Sequence, residues 1–307
     1  MGLTHSMSRY LVVGDGNFSF SLSLSRPPEA ASIIQLVATS YEAQEKVLSQ
    51  PEAAGNVSEL LITRGVLILY EIDGTRLEES EEFQKGSKFH QIIFNFPHTG
   101  GKSNIGKNRQ LLKDFFVSAA KFLDELYGEV HVSLCKGQGG TPVDCQDRGY
   151  ENSWKIVEMA AEGGLILTAV EPFKAEQYPG YLPSGYRGQS KGFMLEGALT
   201  HVFRFPSQGT KSLHPPSYIH DVSFWYKGDD EFDEVRFKDI VARETENMVE
   251  SVCCTDTFRP GDLSNRVSYC YRVVYCSRYQ ALSRTRARDL QLKLREAMQQ
   301  ELKIVLR

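Results

Sequence analysis

The chain has 307 residues, of which 41% are hydrophobic and 24% are charged, and its formal net charge is −4. This size suits one large or two moderate domains with real cores, and no apolar run approaches the roughly 20 residues of a membrane span. The lack of such a run predicts no membrane association. The six cysteines contain no Cys-x-x-Cys pair, so we expect no metal centre and no disulfide scaffold.

Short apolar segments alternate with amphipathic stretches from Tyr10 to Phe205, which is typical of βαβ units. The predicted strands are Tyr10–Val13, Ile34–Ala38, Val66–Tyr70, Gln91–Phe94, Glu129–Leu134, Leu165–Val170 and Leu199–Phe205. The predicted helices are Tyr41–Ser49, Arg109–Leu126 and Trp154–Ala161. Only a loop joins the last two strands, which predicts an antiparallel return. Residues 7–205 are therefore predicted to form an α/β, Rossmann-like domain whose seven-stranded sheet suits a methyltransferase better than a dehydrogenase.

The first strand runs directly into Gly14, Asp15, Gly16 and Asn17. Glycines at this point let the backbone approach a ligand at the start of a helix. Ser19 stands where a dinucleotide fingerprint has its third glycine, so a pyrophosphate is not expected. The backbone amides and Asp15 would suit the charged amino-acid end of S-adenosylmethionine; a tight turn with no ligand is the alternative.

Acidic residues follow the next two predicted strands. Glu42 comes after the second strand, where doubly wound folds place an acid on a ribose hydroxyl, and Asp73 comes after the third, near an adenine edge. Taken alone, each would more often be a solvated carboxylate, because charged residues are common at strand ends. Because the carboxyl ends of adjacent strands converge, we interpret both as cofactor-binding residues.

The fourth strand ends in Asn95-Phe-Pro-His98 and opens into a polar loop. Asn95 would orient a nitrogen that accepts a methyl group, and His98 would act as a base near neutral pH. The alternative is a turn fixed by Pro97 with an exposed histidine. Lys102, Lys107 and Arg109 would contact RNA phosphates or, equally, form a solvated loop.

Two further loops are expected beside the crevice. Lys136–Pro142 is glycine-rich but lacks the closing Gly-Lys-Ser/Thr of a P-loop, so we interpret it as a lid or substrate loop. Tyr178 and Tyr181 would stack on an unpaired base, or serve only as packing anchors.

Residues 206–213 have the composition of a linker, and the pattern changes after them. Residues 214–307 are predicted to form a small α+β ferredoxin-like domain of order βαββαβ. Its predicted elements are strand Tyr218–Trp225, helix Val235–Val249, strands Val252–Phe258 and Tyr269–Cys276, helix Ala287–Leu302 and strand Lys303–Leu306. Its basic residues alternate with tyrosines, a pattern of RNA-binding surfaces; solvated arginines are the alternative. The predicted RNA-binding residues are Arg272, Arg284, Arg286 and Arg288.

Two families are recognisable in these blocks. Residues 9–205 resemble the large-subunit rRNA (uridine-N3) methyltransferase family in Val12-Val-Gly-Asp-Gly-Asn-Phe-Ser-Phe-Ser-Leu22, Val37-Ala-Thr-Ser-Tyr-Glu42, Ile92-Ile-Phe-Asn-Phe-Pro-His-Thr-Gly100, Asn108-Arg-Gln-Leu-Leu112 and Glu176-Gln-Tyr-Pro-Gly-Tyr181. Residues 214–307 resemble the ferredoxin-fold anticodon-binding (FDX-ACB) domain of organellar phenylalanyl-tRNA synthetases in Pro215-Pro-Ser-Tyr-Ile-His-Asp-Val-Ser-Phe-Trp225, Asp256-Thr-Phe258, Ser268-Tyr-Cys-Tyr-Arg272 and Leu306-Arg307.

These resemblances imply S-adenosylmethionine as cofactor and structured RNA, ribosomal or transfer, as partner, with a uridine N3 as methyl acceptor. A non-catalytic RNA-binding adaptor that keeps the methyltransferase fold is the alternative. No convincing transit peptide is recognisable in Met1–Arg9, which favours the cytoplasm or nucleus, including the nucleolus, over the mitochondrion.

Overall fold

The computed structural model describes residues 8–26, 33–63, 65–84, 88–100, 104–144, 149–183, 194–228, 230–261 and 266–307. The chain divides into two compact units, residues 1–214 and 215–307. Leu213, at the end of the predicted linker, belongs to the first unit, where its amide donates to the Leu167 carbonyl over 2.8 Å.

The first unit is built on a seven-stranded sheet of order β3-β2-β1-β4-β5-β7-β6. Its strands are β1 Ser8–Val12, β2 Ile33–Thr39, β3 Val66–Leu69, β4 Gln91–Asn95, β5 Glu129–Leu134, β6 Ile166–Pro172 and β7 Leu199–Arg204. Only β7 runs antiparallel to its neighbours, β5 and β6. The predicted methyltransferase-type sheet with an antiparallel return is therefore confirmed.

The helices of the first unit are α1 Ser19–Leu24, α2 Gln44–Leu48, α3 Pro51–Leu61, α4 Glu81–Gln84, α5 Ile105–Ala120 and α6 Ile156–Glu162. Helix α5 begins four residues before its predicted start because the Asn104 side chain accepts a hydrogen bond from the Lys107 amide. It ends at Ala120, six residues before the predicted end, and Leu126 is exposed. Helix α3, which starts at Pro51, was not predicted.

The main core of the first unit lies on the sheet face that α5 and α6 cover. Leu11, Ile92, Val130 and Val132 supply it from the three adjacent strands β1, β4 and β5, and Phe116 from α5 packs against them. Fully burying side chains of this size contributes about 1.5 to 3 kcal/mol each. This packing fixes the strands whose carboxyl ends carry the candidate site.

The second unit is a four-stranded antiparallel sheet with two helices, in agreement with the predicted ferredoxin-like order. The elements are β8 Tyr218–Tyr226, α7 Glu234–Glu244, β9 Val249–Phe258, β10 Val267–Tyr275, α8 Arg284–Glu301 and β11 Ile304–Leu306, and the sheet order is β11-β8-β10-β9. Helix α7 ends five residues before the predicted end because Glu246 and Asn247 adopt left-handed backbone conformations. Helix α8 begins three residues early because Ser283 caps it.

Among the described residues, no helix combines the length and apolar character that a membrane crossing requires. In the same part of the chain, no three or more His, Cys, Asp or Glu side chains are grouped as metal ligands would be.

Candidate functional site

The carboxyl ends of β1, β2 and β3 lie at one edge of the sheet, and backbone hydrogen bonds join the loops that follow them. The Asp15 amide donates to the Thr39 carbonyl over 2.8 Å, and the Ile72 amide donates to the Ser40 carbonyl over 3.0 Å. The loops that carry the predicted cofactor residues therefore lie side by side, as parallel strands require.

Gly14 has a backbone that favours glycine. Its φ is +67°, and a Cβ at this position would lie 3.1 Å from Phe94 Cε2. Its amide donates to Thr39 Oγ1 over 3.3 Å. Conformation and packing thus require a glycine here whether or not a ligand binds. Gly16 is half-buried in the turn that leads into α1.

Asp15 is engaged within the protein. Its Oδ2 accepts hydrogen bonds from the amide and the hydroxyl of Ser21, both at 2.7 Å. Burial raises the pKa of the Asp15 carboxyl, and the hydrogen bonds from Ser21 oppose that shift. The side chain therefore stabilises the first turn of α1, which does not favour the predicted contact with a charged ligand group.

Asn17 joins the turn after β1 to the loop after β6. Its Nδ2 donates to the Leu182 carbonyl over 2.8 Å, and the Leu182 amide donates to Ser19 Oγ over 3.0 Å. The Ser19 hydroxyl donates in turn to Asn17 Oδ1 over 2.8 Å, which closes a ring of three hydrogen bonds. We call this ring the Leu182 latch. The Asn17 amide is therefore occupied by the latch instead of facing a cofactor.

Glu42 and Asp73 lie beyond the ends of β2 and β3, at the predicted edge. Glu42 is half-buried and pairs with Lys46. Asp73 Oδ1 accepts hydrogen bonds from the amide and hydroxyl of Thr75, at 2.9 and 2.7 Å. Both carboxylates are near the surface, where they can accept hydrogen bonds from hydroxyl or amino groups of a ligand.

Asn95 is the last residue of β4. Its Oδ1 accepts a hydrogen bond from Ser133 Oγ over 2.8 Å. Its Nδ2 is buried, and no described residue accepts a hydrogen bond from it. An unpaired buried donor is unfavourable by about 1 to 3 kcal/mol unless a ligand or water satisfies it. The Asn95 Nδ2 is therefore the group of this side chain that lacks a described partner, whereas its Oδ1 is already engaged with Ser133.

His98 follows Asn95 by three residues in the same turn. Its Nδ1 accepts a hydrogen bond from the Gly100 amide over 2.9 Å, and burial lowers the pKa of the imidazole. A neutral ring whose Nδ1 accepts carries its proton on Nε2. The geometry thus presents an N–H donor and opposes the predicted role as a base, since the basic nitrogen is occupied.

The three residues predicted to contact phosphates have different environments in the structure. Lys102 lies outside the described residues, and Lys107 is exposed in the first turn of α5. Arg109 donates to the Ser153 carbonyl from both Nε and an Nη, at 3.0 and 2.7 Å, so its guanidinium holds a loop within the first unit. The same helix contributes Asn108, a fully buried residue whose Oδ1 holds Thr99 and whose role the sequence did not reveal.

The glycine-rich segment after β5 encloses a buried histidine and aspartate that were not predicted. Asp144 accepts hydrogen bonds from the Gly137 and Gly140 amides, at 2.9 and 2.8 Å. A Cβ on Gly139 would lie 2.5 Å from His201 Nε2 and 2.6 Å from Asp144 Oδ2. Burial lowers the pKa of His201 to about 4, while Asp144 opposes the shift. These contacts favour a fixed wall over the predicted mobile lid; the only signal in the sequence was the spacing of the glycines.

The predicted interleaving of arginines with tyrosines is only partly present in the second unit, where Tyr279 is exposed. Tyr271 and Tyr275 are buried against the helices, so Arg272, between them on β10, lies on the opposite, open face of the sheet. There Arg272 pairs with Asp221 through two hydrogen bonds of 2.9 Å. The prediction is wrong for Tyr271 and Tyr275 because side chains on one strand alternate between faces.

The other three predicted arginines lie in the first turns of α8. Arg284 lies over the Tyr218 ring at 5.6 Å, Arg286 pairs with Glu246, and Arg288 is exposed. Because α8 covers the other face of the sheet, these residues form a group separate from the open face.

The open face carries an aromatic group that the sequence analysis missed. Trp225 on β8 and Phe258 on β9 meet edge to face at 6.1 Å, and Arg307 lies 5.4 Å from the Trp225 ring. Alternation along β8 was the available signal, since it puts Trp225 on the face opposite Phe224 and Val222.

Comparison with known proteins gives a match for each unit. A family model described as rRNA (uridine-N3-)-methyltransferase, BMT5-like, matches residues 11–185. A model of the ferredoxin-fold anticodon-binding domain matches residues 212–307.

Three curated relatives represent these matches. Human ferredoxin-fold anticodon-binding domain-containing protein 1 is 44% identical over 205 residues, which are 66% of this chain and 32% of that protein. The yeast 25S rRNA (uridine(2634)-N(3))-methyltransferase is 24% identical over 56% of this chain and 64% of its own. Mitochondrial phenylalanine–tRNA ligase of Dictyostelium discoideum is 36% identical over 30% of this chain and 20% of its own. The chain matches only about a third of the length of the first such relatives.

Proposed function

The chain belongs to the BMT5-like rRNA (uridine-N3-)-methyltransferase family, and on that premise we propose that it is an S-adenosylmethionine-dependent RNA methyltransferase that acts on N3 of a uridine. Ribosomal RNA is the proposed substrate, with tRNA as the rival acceptor. The observation that carries the proposal is the buried Nδ2 of Asn95 at the end of β4, for which no described residue serves as an acceptor.

The strand ends beside Asn95 fit the cofactor. The turn Gly14–Asn17 would meet its amino-acid end through backbone groups, while Glu42 and Asp73 have carboxylate oxygens suited to ribose hydroxyls and an adenine amine. S-adenosylmethionine supplies an electrophilic methyl group on a sulfonium centre. Asp15 and Asn17 contribute by fixing α1 and the Leu182 latch, which keeps the turn in place.

A donor at Asn95 suits uracil because N3 of uracil lies between two carbonyl oxygens. When the N3–H bond breaks, negative charge spreads onto these oxygens, and donors aimed at them stabilise it. Asn95 Nδ2 and the Nε2–H of His98 would supply such donors. Bound S-adenosylmethionine would supply the methyl group that replaces the N3 proton, and that proton would leave to solvent. In this mechanism His98 orients and stabilises the base without removing the proton.

The second unit supports an RNA substrate. It belongs to the ferredoxin-fold anticodon-binding domain family, and a phenylalanine–tRNA ligase is among the relatives of the chain. Its open face brings the Trp225 and Phe258 rings together with Arg307. Aromatic rings next to cationic side chains are suited to unpaired bases and phosphates. We infer that Arg272 and the arginines of α8 contact RNA on separate sides of this unit.

Two measurements test the proposal. Calorimetric titration with S-adenosylhomocysteine reports the cofactor site, and transfer of tritiated methyl groups to large-subunit rRNA or tRNA from cells lacking the protein reports the reaction. Asn95→Asp keeps the side-chain shape but removes the donor, so it should abolish transfer and leave S-adenosylhomocysteine affinity unchanged. If the wild type retains RNA but never transfers a methyl group to either RNA, the adaptor function replaces the enzymatic one.

A further inference from the structure

The loop after β6 carries three of the five rings of an aromatic cluster beside the site. This cluster consists of Phe20, Phe96, Phe173, Tyr178 and Tyr181. Phe20 from α1 contacts Tyr178 and Tyr181 at centroid distances of 4.6 and 5.4 Å, and Phe96 from the turn after β4 contacts Phe173 at 5.1 Å. The cluster thus joins the cofactor turn, the Asn95 turn and the loop after β6.

The Leu182 latch fixes the position of Tyr181 in this cluster. Leu182 directly follows Tyr181, and both of its backbone polar groups bind Asn17 or Ser19. Asn17 and Ser19 are buried, so these hydrogen bonds are shielded from competing water. The Tyr181 ring also meets Phe20 and Phe173 edge to face. Tyr181 is therefore held in place both by the hydrogen bonds of the adjacent Leu182 backbone and by the contacts of its own ring.

The contacts of Tyr181 bring its ring close to the turn that follows Asn95. Tyr181 contacts Phe173, which in turn contacts Phe96, the residue after Asn95. The Tyr181 hydroxyl also interacts electrostatically with Asp15, after β1, and with Cys135, after β5, and these two strands flank β4 in the sheet. Burial raises the pKa of Tyr181, so the phenol stays protonated, and none of the described residues accepts a hydrogen bond from it.

We propose that Tyr181 is a base-contacting residue that selects uracil, with its hydroxyl donating to a carbonyl oxygen of the base beside the donor of Asn95. This inference rests on the function proposed above. Uracil offers two acceptors around N3, whereas cytosine presents an amino donor in place of one of them. A site built from donors rejects such a base because its own donors are then left unpaired. Because the Leu182 latch binds Asn17 and Ser19, the position of Tyr181 depends on the turn between β1 and α1.

The test compares the wild type with Tyr181→Phe, which removes only the hydroxyl. We expect kcat/KM for methyl transfer to the uridine-containing RNA to fall roughly tenfold to hundredfold. The affinity for S-adenosylhomocysteine should not change. Replacing the target uridine by cytidine in a transcript, with mass spectrometry of the methylated nucleoside, should show weaker discrimination by the variant than by the wild type. Tyr127→Phe, at an exposed position before β5, is the control and should match the wild type.

The outcomes separate the two proposals. If Tyr181→Phe transfers methyl groups as fast as the wild type, the role of Tyr181 is wrong while the proposed function stands. If the variant loses transfer and S-adenosylhomocysteine binding together, Tyr181 supports the cofactor site and not the base, which also overturns the inference. If the wild type binds S-adenosylhomocysteine but transfers no methyl group, the proposed function fails, and the inference fails with it.

Discussion

Replacing Gly14 by alanine should destabilise the first unit by about 3 kcal/mol. A left-handed backbone disfavours alanine by roughly 1 to 2 kcal/mol, and relieving a tight contact in a packed site adds roughly 1 to 3 kcal/mol. Here the contact is the 3.1 Å approach to Phe94 Cε2. The smaller entropy of the unfolded alanine chain offsets about 0.4 to 1 kcal/mol of the total.

The assay can observe the first unit alone. The chain has two tryptophans, Trp154 in the first unit and Trp225 in the second. In a Trp225→Phe background, the fluorescence of the buried Trp154 follows urea unfolding of the first unit. Separate observation matters because two units need not unfold in one transition.

Gly55→Ala is the matched control. Gly55 lies within α3, and a Cβ there would meet nothing within 4 Å. Alanine in a helix should stabilise the unit by roughly 0.5 to 1 kcal/mol. The two alanine substitutions should therefore shift the urea midpoint in opposite directions. A Gly14→Ala variant as stable as the wild type would refute the argument from backbone and packing.

Three further predictions follow from individual contacts. His98→Gln, which keeps an N–H donor, should retain more methyl transfer than His98→Ala; equal loss in both would restore the histidine as base. Hydrogen bonds from His131 and Arg204 hold the pKa of Glu129 at about 2, below its ordinary 4.5. The stabilisation that these hydrogen bonds give the first unit is therefore complete above pH 4.5 and is lost as the pH falls towards about 2. Glu129→Gln should make the stability of the first unit less dependent on pH across that window. An unchanged pH dependence would contradict this prediction. Ser283→Ala removes the N-terminal cap of α8 and should destabilise the second unit by about 1 kcal/mol. Urea unfolding of this unit can be followed by the fluorescence of Trp225. An unchanged urea midpoint would show that the cap is dispensable.

The order of elements could be predicted because it depends on local patterns. Apolar runs of four to seven residues separated by polar stretches indicated the parallel strands, and the missing helix between the last two strands indicated the antiparallel return. Helix ends were less predictable because caps decide them. Asn104 and Ser283 start α5 and α8 earlier than hydrophobic periodicity suggests, and the left-handed Glu246 and Asn247 end α7 early.

Residue types at the candidate site were predictable, whereas their tasks were not. Gly14 and Asp15 follow β1 as expected, but whether Asp15 faces a ligand or Ser21 depends on where α1 packs. Arg109 is basic and next to the loop, yet its hydrogen bonds go to Ser153. A one-dimensional pattern specifies which groups are available; the partners come from segments distant in sequence.

The sequence by itself determined the fold class, and it predicted two domains and a candidate site at the carboxyl ends of the first four strands. These properties follow from periodicity and from the direction of parallel strands. Only the tertiary structure showed that Asn95 Nδ2 has no acceptor among the described residues, that His98 Nδ1 accepts from the Gly100 amide and that Leu182 is bonded to Asn17. The physical reason is that hydrogen-bond pairing inside a protein is set by packing between distant segments. Asn17 and Leu182 are 165 residues apart in the chain and 2.8 Å apart in the fold.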